Sequence, residues 1–217
     1  MRKLVLEAFL LVLGVASAWG MDLLVTDFVP SPGDTIAIWV AGAPDGAEFH
    51  WDLNGDGTPE KTTTESRIEW AVPEGAHRVV VSVVLGGKTI STFRAVIVCD
   101  HRFGAFQTVM REKDYFIVTV VFRAKAILRA PGLSLKTPTG WGTEMIDPGT
   151  MVYRMRAGIE GFWSLELYPG DELTITYRLL PLAKGMAFTF SGTASAFVEG
   201  EGYVELPVAG LVTPYWP

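Results

Sequence analysis

The amino-acid sequence predicts an all-β protein made of two tandem β-sandwich domains behind an N-terminal signal peptide. Short runs of β-branched and aromatic residues recur along the chain, and clusters of Gly, Pro and Asp separate them. Several runs alternate apolar and polar residues, as half-buried strands do, and no run after the first 18 residues keeps a helical period. Strands of this kind, spaced by turn signals, are typical of β-sandwiches.

The first element, residues 1–18, has the plan of a secretory signal peptide. Arg2 and Lys3 give a positive start, an apolar stretch runs from Leu4 to Val15, and Ala16-Ser17-Ala18 offers small residues for cleavage. The apolar stretch is shorter than the roughly 20 residues that a membrane-spanning helix needs. We therefore expect an exported protein, periplasmic or at the cell surface or extracellular, that touches the membrane only through the uncleaved peptide.

Residues 19–99 are the first predicted domain. The segment Glu48–Leu53 alternates polar and apolar residues and precedes a loop of Asn, Asp and Gly. Two long β-branched runs, Val79–Leu85 and Thr89–Val98, flank Gly86-Gly87-Lys88, and this arrangement predicts a β-hairpin.

Residues 100–217 are the second predicted domain. A long strand is expected over residues 115–126, with one apolar face, and a second half-buried strand is expected near residue 175. The apolar residues that define these two faces are Phe116, Val118, Val120 and Phe122 in the first strand, and Leu173, Ile175, Tyr177 and Leu179 in the second.

Two resemblances refine the fold. The run Glu48-Phe49-His50-Trp51-Asp52-Leu53-Asn54-Gly55-Asp56-Gly57, together with the Ser31–Asp34 turn and Val72–Val79, resembles PKD domains, an Ig-like family, over about residues 22–99. The order of Leu135-Lys-Thr-Pro-Thr-Gly-Trp141 and then Pro169-Gly-Asp-Glu-Leu-Thr-Ile-Thr176 is similar to Ig-like accessory sandwiches of bacterial surface proteins and glycosidases. Both resemblances imply a binding or spacing role.

An acidic loop is the strongest candidate for a ligand site. Asp52, Asn54 and Asp56 are spaced by two residues, and Glu60 follows. Alternate residues of a tight loop can bring several oxygen ligands to one calcium ion. The alternative is a plain turn, in which Asn and Asp accept hydrogen bonds from their own backbone, and both interpretations remain open.

Tryptophans are the second candidate. Trp39 has the opposite parity to its apolar neighbours, and Trp70 and Trp216 are not assigned to a core by pattern, so these three are candidate ligand-binding residues. Exposed aromatic rings can stack on sugars. The alternative is a scatter of surface and core aromatics, with Trp51 and Trp141 in the core.

Composition and motifs bear on the remaining function classes. The net charge of −6 gives no reason to expect a nucleic-acid partner. Nucleophile elbows, His-Glu-x-x-His and phosphate-binding loops are missing, so we expect no enzyme. The lone Cys99 lies in a β-branched run, as a buried thiol would. Amide side chains are scarce, with Asn54 and Gln107 as the only two, and this scarcity indicates a thermophilic source.

These observations predict a non-catalytic exported cell-envelope protein that acts as a structural or protein-interaction module. Two alternatives remain open: a module that binds cell-wall or extracellular polysaccharide, and a calcium-stabilised accessory domain of a hydrolase system. The expected partner is therefore an envelope protein or a polysaccharide, and calcium is the one cofactor in prospect.

Overall fold

A computed structural model describes residues 20–182 and 189–211. Within these ranges the protein is all-β and contains no helix, which confirms the predicted fold class. The described part accordingly offers no helix long and apolar enough to cross a membrane. The signal peptide lies outside these ranges, and the division into domains at residue 99 stays a prediction.

Eighteen strands follow one another along the described chain. They are β1 Asp22–Val25, β2 Thr35–Ala41, β3 Glu48–Asp52, β4 Lys61–Thr63, β5 Arg67–Ala71, β6 Gly75–Leu85, β7 Lys88–Cys99, β8 Phe103–Arg111, β9 Phe116–Ala124, β10 Leu128–Lys136, β11 Trp141–Asp147, β12 Val152–Met155, β13 Gly158–Phe162, β14 Glu166–Leu167, β15 Glu172–Pro181, β16 Gly192–Val198, β17 Gly202–Pro207 and β18 Ala209–Leu211.

The strands form three sheets. A three-stranded sheet has the order β1-β2-β5, and a six-stranded sheet has the order β12-β13-β10-β16-β17 with β14 paired to β10. The third sheet has nine strands in the order β11-β15-β9-β8-β18-β7-β6-β3-β4. This sheet runs without a break from strands of the N-terminal half (residues 20–99) to strands of the C-terminal half (residues 100–211).

Buried hydrophobic side chains form two clusters. One joins residues 21–99 with Phe106 and Ala209, and the other is drawn from residues 103–208. Each cluster contains residues of the nine-stranded sheet and of one of the smaller sheets. In the long strands β6 and β9 the buried residues alternate with exposed or half-buried ones, so one face of each strand points into a core. Phe106 and Ala209 belong to the C-terminal half but pack in the first core.

The predicted strand faces are confirmed. Phe116, Val118, Val120 and Phe122 are all fully buried along β9, and Ile175, Tyr177 and Leu179 are buried along β15, where Leu173 is half-buried against the same core. The predicted hairpin is present as well: β6 pairs with β7, with Leu85 opposite Lys88 and two glycines between them.

β18 connects the two halves. Gly210 lies antiparallel to Val96 of β7 and parallel to Gln107 of β8, so three residues complete the sheet between strands of different halves. Gly210 has φ +129°, and a Cβ added there would lie 2.6 Å from the Gln107 carbonyl oxygen. This position therefore requires glycine for both space and backbone conformation.

We expect Gly210→Ala to lower the free energy of unfolding by more than about 2 kcal/mol, because the Cβ adds a clash to backbone strain. Gly46→Ala is the matched control: Gly46 has φ +78° but open space around a Cβ, so it reports strain alone. Urea unfolding of both variants gives the comparison. Equal losses of unfolding free energy in the two variants would show that the close approach of Gly210 to Gln107 adds nothing to the cost of the backbone strain.

Candidate functional site

Three carboxylates of the acidic loop converge. One oxygen each from Asp52, Asp56 and Glu60 lies within 4.8 Å of the others, and this group is the one of its kind among the described residues. Asp52 is buried at the end of β3, whereas Asp56 and Glu60 are exposed. The loop reverses the chain between β3 and β4, which pair with Trp51 opposite Lys61. This pairing brings Glu60 back beside Asp52.

The same side chains accept hydrogen bonds from the loop backbone. The two oxygens of Asp52 accept the N–H groups of Gly55 at 2.6 Å and Gly57 at 2.9 Å. Glu60 accepts the N–H of Leu53 at 2.6 Å. The loop thus forms a turn held by its own side chains.

Asn54 and Asp56 complete this turn. Asn54 Oδ1 accepts the Asp56 N–H at 2.8 Å, and its Nδ2 donates to Asp56 Oδ2 at 3.1 Å. The backbone N–H of Thr58, and then the Asn54 side chain, hold the pKa of Asp56 below its ordinary value. The loop therefore keeps this carboxylate ionised.

The hydrogen-bonded turn is also compatible with calcium binding by the same loop. Each carboxylate oxygen has a further lone pair, and three negative groups this close repel one another unless a cation lies between them. The structure brings together Asp52, Asp56 and Glu60 and positions Asn54 beside them. Calcium binding itself stays a prediction.

We expect calcium to raise the thermal midpoint of the wild-type protein, since an ion that binds only the folded loop stabilises it. Calorimetry in millimolar calcium and in excess chelator measures the shift. Glu60→Gln should abolish it, while Glu65→Gln, an exposed carboxylate beyond the cluster, should leave it intact. Equal wild-type midpoints in the two buffers would reject the site.

The candidate tryptophans do not form one platform. Trp39 pairs with Arg67 and Trp70 pairs with Ile36, so the two rings lie on opposite faces of the β1-β2-β5 sheet. Trp70 packs against the first core and lies edge-on to His77, with ring centroids 5.4 Å apart. Trp39 and Trp70 therefore cannot form one flat platform for a sugar, because their register gives them opposite parity.

Ligand binding by either ring alone stays a prediction. Trp39 is half-buried, and the Arg67 guanidinium lies 5.7 Å from its ring centroid. Trp216 and the rest of residues 212–217 lie outside the described residues. Trp51 and Trp141 are buried in the two cores, as predicted, and so is Cys99, whose burial raises the pKa of its thiol.

A polar cluster that the sequence did not predict lies where the two halves meet. Asp100 is buried, and Arg102 donates two hydrogen bonds to it, from Nε at 3.0 Å and from Nη2 at 2.6 Å. Arg102 also donates to Glu201 at 3.2 Å. Burial raises the pKa of Asp100, but the hydrogen bonds from Arg102 outweigh it and hold the pKa below its ordinary value of 3.8.

Two cations cross this junction. Lys125 donates to the carbonyl oxygens of Pro30 at 2.8 Å and Asp100 at 2.7 Å, and its burial lowers the pKa of its amine. Arg123 donates to Asp27 at 3.3 Å and to Glu172 at 2.8 Å. Each cation thus binds the N-terminal half from a strand or turn of the C-terminal half.

We expect Asp100→Asn to lower the free energy of unfolding at neutral pH by about 2–3 kcal/mol, because Arg102 loses its charged partner. The folded pKa of Asp100 lies below 3.8, so its contribution is present above that pH and fades as the pH falls further. Denaturant unfolding between neutral and acid pH measures the difference in the free energy of unfolding between the wild type and Asp100→Asn.

Glu201→Gln, which changes the half-exposed partner of Arg102, should cost less than about 1 kcal/mol. A gap between wild type and Asp100→Asn that is the same at every pH would contradict the assigned charge effect.

An exposed apolar surface lies at one edge of the six-stranded sheet. Val152 and Tyr153 of β12 and Phe162 of β13 are 61%, 41% and 49% exposed. With Arg154, Glu160 and Ser134 they line an open depression of about 470 Å³. The strand β12 has only four residues, one of them charged, and no strand was predicted there.

Comparisons with known proteins add little. No family model matches the chain, and no curated protein matches it. Among solved structures, a mutant alpha-2-macroglobulin from Salmonella is 9% identical with a TM-score of 0.31, covering 88% of this chain and 16% of that one. The methylamine-reacted form of the Salmonella protein is 9% identical with a TM-score of 0.29, covering 87% and 16%.

The chain thus spans about a sixth of the length of these macroglobulins, and TM-scores this low identify neither a common fold nor a function. The resemblance to PKD domains is not confirmed and stays a prediction.

Proposed function

We propose that this protein is a non-catalytic structural module of the cell envelope that holds another envelope component in a fixed position. The observation that carries the proposal is the nine-stranded sheet that continues through both halves. A flexible tether would connect its parts through few contacts, whereas here backbone hydrogen bonds and the contacts of Lys125 and Arg123 join them. Export rests on the predicted signal peptide.

Stiffness at the junction has three sources. β18 hydrogen-bonds to strands of both halves. Lys125 and Arg123 bind carbonyl and carboxylate oxygens across the junction. Gly104 lies so close to Val29 that an added Cβ would come within 2.6 Å of the Val29 side chain, so the two halves are in close van der Waals contact. Bending the molecule here would break several of these contacts at once.

The absence of catalysis is part of the proposal. Within the described residues the one convergent group of acidic side chains is the Asp52–Glu60 loop, and its oxygens already accept backbone hydrogen bonds. The depression near Phe162 contains one carboxylate, Glu160, which is bound to Arg154. Neither place offers two free carboxylates facing a substrate.

Spin labels at opposite edges of the nine-stranded sheet test the proposed stiffness. Thr62 of β4 and Glu144 of β11 are exposed, and eight strand spacings of about 4.8 Å separate them, so we expect one narrow distance distribution near roughly 35–40 Å. Cys99, which is buried, is replaced by Ala in both labelled proteins. A broad or bimodal distribution would reject a rigid module.

A second candidate function, binding of polysaccharide, is favoured by one observation. Phe197 and Tyr203 are 53% and 58% exposed on the outer face of the six-stranded sheet, with ring centroids 5.5 Å apart. Their planes meet at 62°, so the rings do not form a flat stacking platform. Co-sedimentation with insoluble cell-wall polysaccharide, beside a Phe197→Ala and Tyr203→Ala double variant, tests this function.

A further inference from the structure

Asn54 is the only asparagine in the chain, and it directly precedes Gly55. Asparagine followed by glycine is the pair in which the side-chain amide is lost most readily, because glycine has no Cβ to shield its backbone nitrogen. Amides are otherwise scarce in this chain, as they are in heat-adapted proteins. The single asparagine thus occupies the least durable sequence context, and its surroundings decide whether it survives.

Loss of the amide joins two neighbouring residues and consumes only water. The backbone nitrogen of Gly55 gives up its proton and forms a bond to Cγ of Asn54, while the Cγ–Nδ2 bond breaks and ammonia leaves with that proton. Water then opens the cyclic imide at one of its two carbonyl carbons. The products are aspartate and isoaspartate, and in isoaspartate the main chain runs through the side-chain carbons.

The turn holds both reacting groups in hydrogen bonds. The Gly55 N–H donates to Asp52 Oδ1 at 2.6 Å, so removal of its proton would place two negative charges in contact. Asn54 Oδ1 accepts the Asp56 N–H at 2.8 Å, and Asn54 Nδ2 donates to Asp56 Oδ2 at 3.1 Å. Attack makes Cγ tetrahedral and expels Nδ2, so these bonds must open for the reaction to proceed.

One buried carboxylate protects a second position in the same way. Asp56 precedes Gly57, and an Asp-Gly pair forms the same cyclic imide with loss of water. Asp52 Oδ2 accepts the Gly57 N–H at 2.9 Å. Asp52, which is only 6% exposed, therefore holds the backbone nitrogens that follow both Asn54 and Asp56.

We propose that Asn54 is a modification site whose reactivity is controlled by this loop. The closed turn preserves the amide, and opening of the turn lets the Gly55 nitrogen and water convert Asn54 to aspartate or isoaspartate. The inference goes beyond the proposed structural role and does not depend on it.

Conversion is irreversible and disables the turn. Isoaspartate lengthens the main chain before Gly55, where space is short, since an added Cβ on Gly55 would lie 2.8 Å from the Arg78 carbonyl oxygen. Aspartate replaces the Nδ2 donor by a carboxylate that faces Asp56. Either product weakens the arrangement that brings Asp52, Asp56 and Glu60 together, so an opening of the loop leaves a permanent chemical record.

Asp45→Asn supplies a matched unprotected site in the same chain. Asp45 precedes Gly46 in an exposed turn, and the Gly46 N–H has no acceptor among the described residues. In the folded full-length variant, peptide mapping should show position 45 converting about 10- to 100-fold faster than Asn54, because opening each hydrogen bond to a charged group slows the reaction roughly tenfold. In urea the two positions should convert at similar rates, since no turn protects either of them.

Asp56→Ala, placed in that same chain, removes protection without changing the reacting pair. It deletes the acceptor of Asn54 Nδ2, and Asp56 is exposed, so the fold should persist. We expect conversion of Asn54 to rise about tenfold relative to position 45. Asp52→Ala, which frees the Gly55 N–H, should raise it further, and circular dichroism checks that this buried change leaves the fold intact.

Equal conversion at positions 45 and 54 of the folded chain would overturn the inference. An Asn54 rate that Asp56→Ala leaves unchanged would overturn it as well, and this comparison decides alone if Asp52→Ala unfolds the protein. A difference between the two positions that persists in urea would also count against it, because flanking sequence and not the turn would then control the rate.

Discussion

The three residues of β18 are the constraint on which the architecture of the nine-stranded sheet depends. Without them β7 and β8 would be two edges separated by a short connection, since Cys99 ends one strand and Phe103 begins the other. Ala209 packs in the first core although the chain has just left the second sheet. Gly210 permits this insertion because its missing Cβ lets the backbone approach Gln107.

Electrostatics at the junction supports the same arrangement. Burying Asp100 would be unfavourable by itself, and Arg102 compensates by donating a planar pair of hydrogen bonds. Lys125 is treated differently: it contacts two backbone carbonyls, and so the burial of its amine is balanced by dipoles instead of a carboxylate. The junction thus combines a ladder of backbone hydrogen bonds with charged groups that fit one geometry only.

How much of this was predictable depended on the length and regularity of each strand. β9 and β15 alternate over many residues, and their buried faces followed from period two alone. β18 reads Ala-Gly-Leu, which carries no alternation, and its partners are distant in sequence. The turn-forming acidic loop was predictable because its Asx and Gly residues act locally, whereas the opposed faces of Trp39 and Trp70 depended on the β2–β5 register.

The pairing of Gly210 with Val96 also has a consequence for how the chain folds. More than a hundred residues separate the two in sequence, so the loop closed by this contact is among the longest in the protein. As the polypeptide is synthesised, its first strands appear long before β18 can reach them. Until then β7 and β8 present bare edges, and protection against premature strand exchange while the chain is being completed becomes a requirement that arises from topology alone.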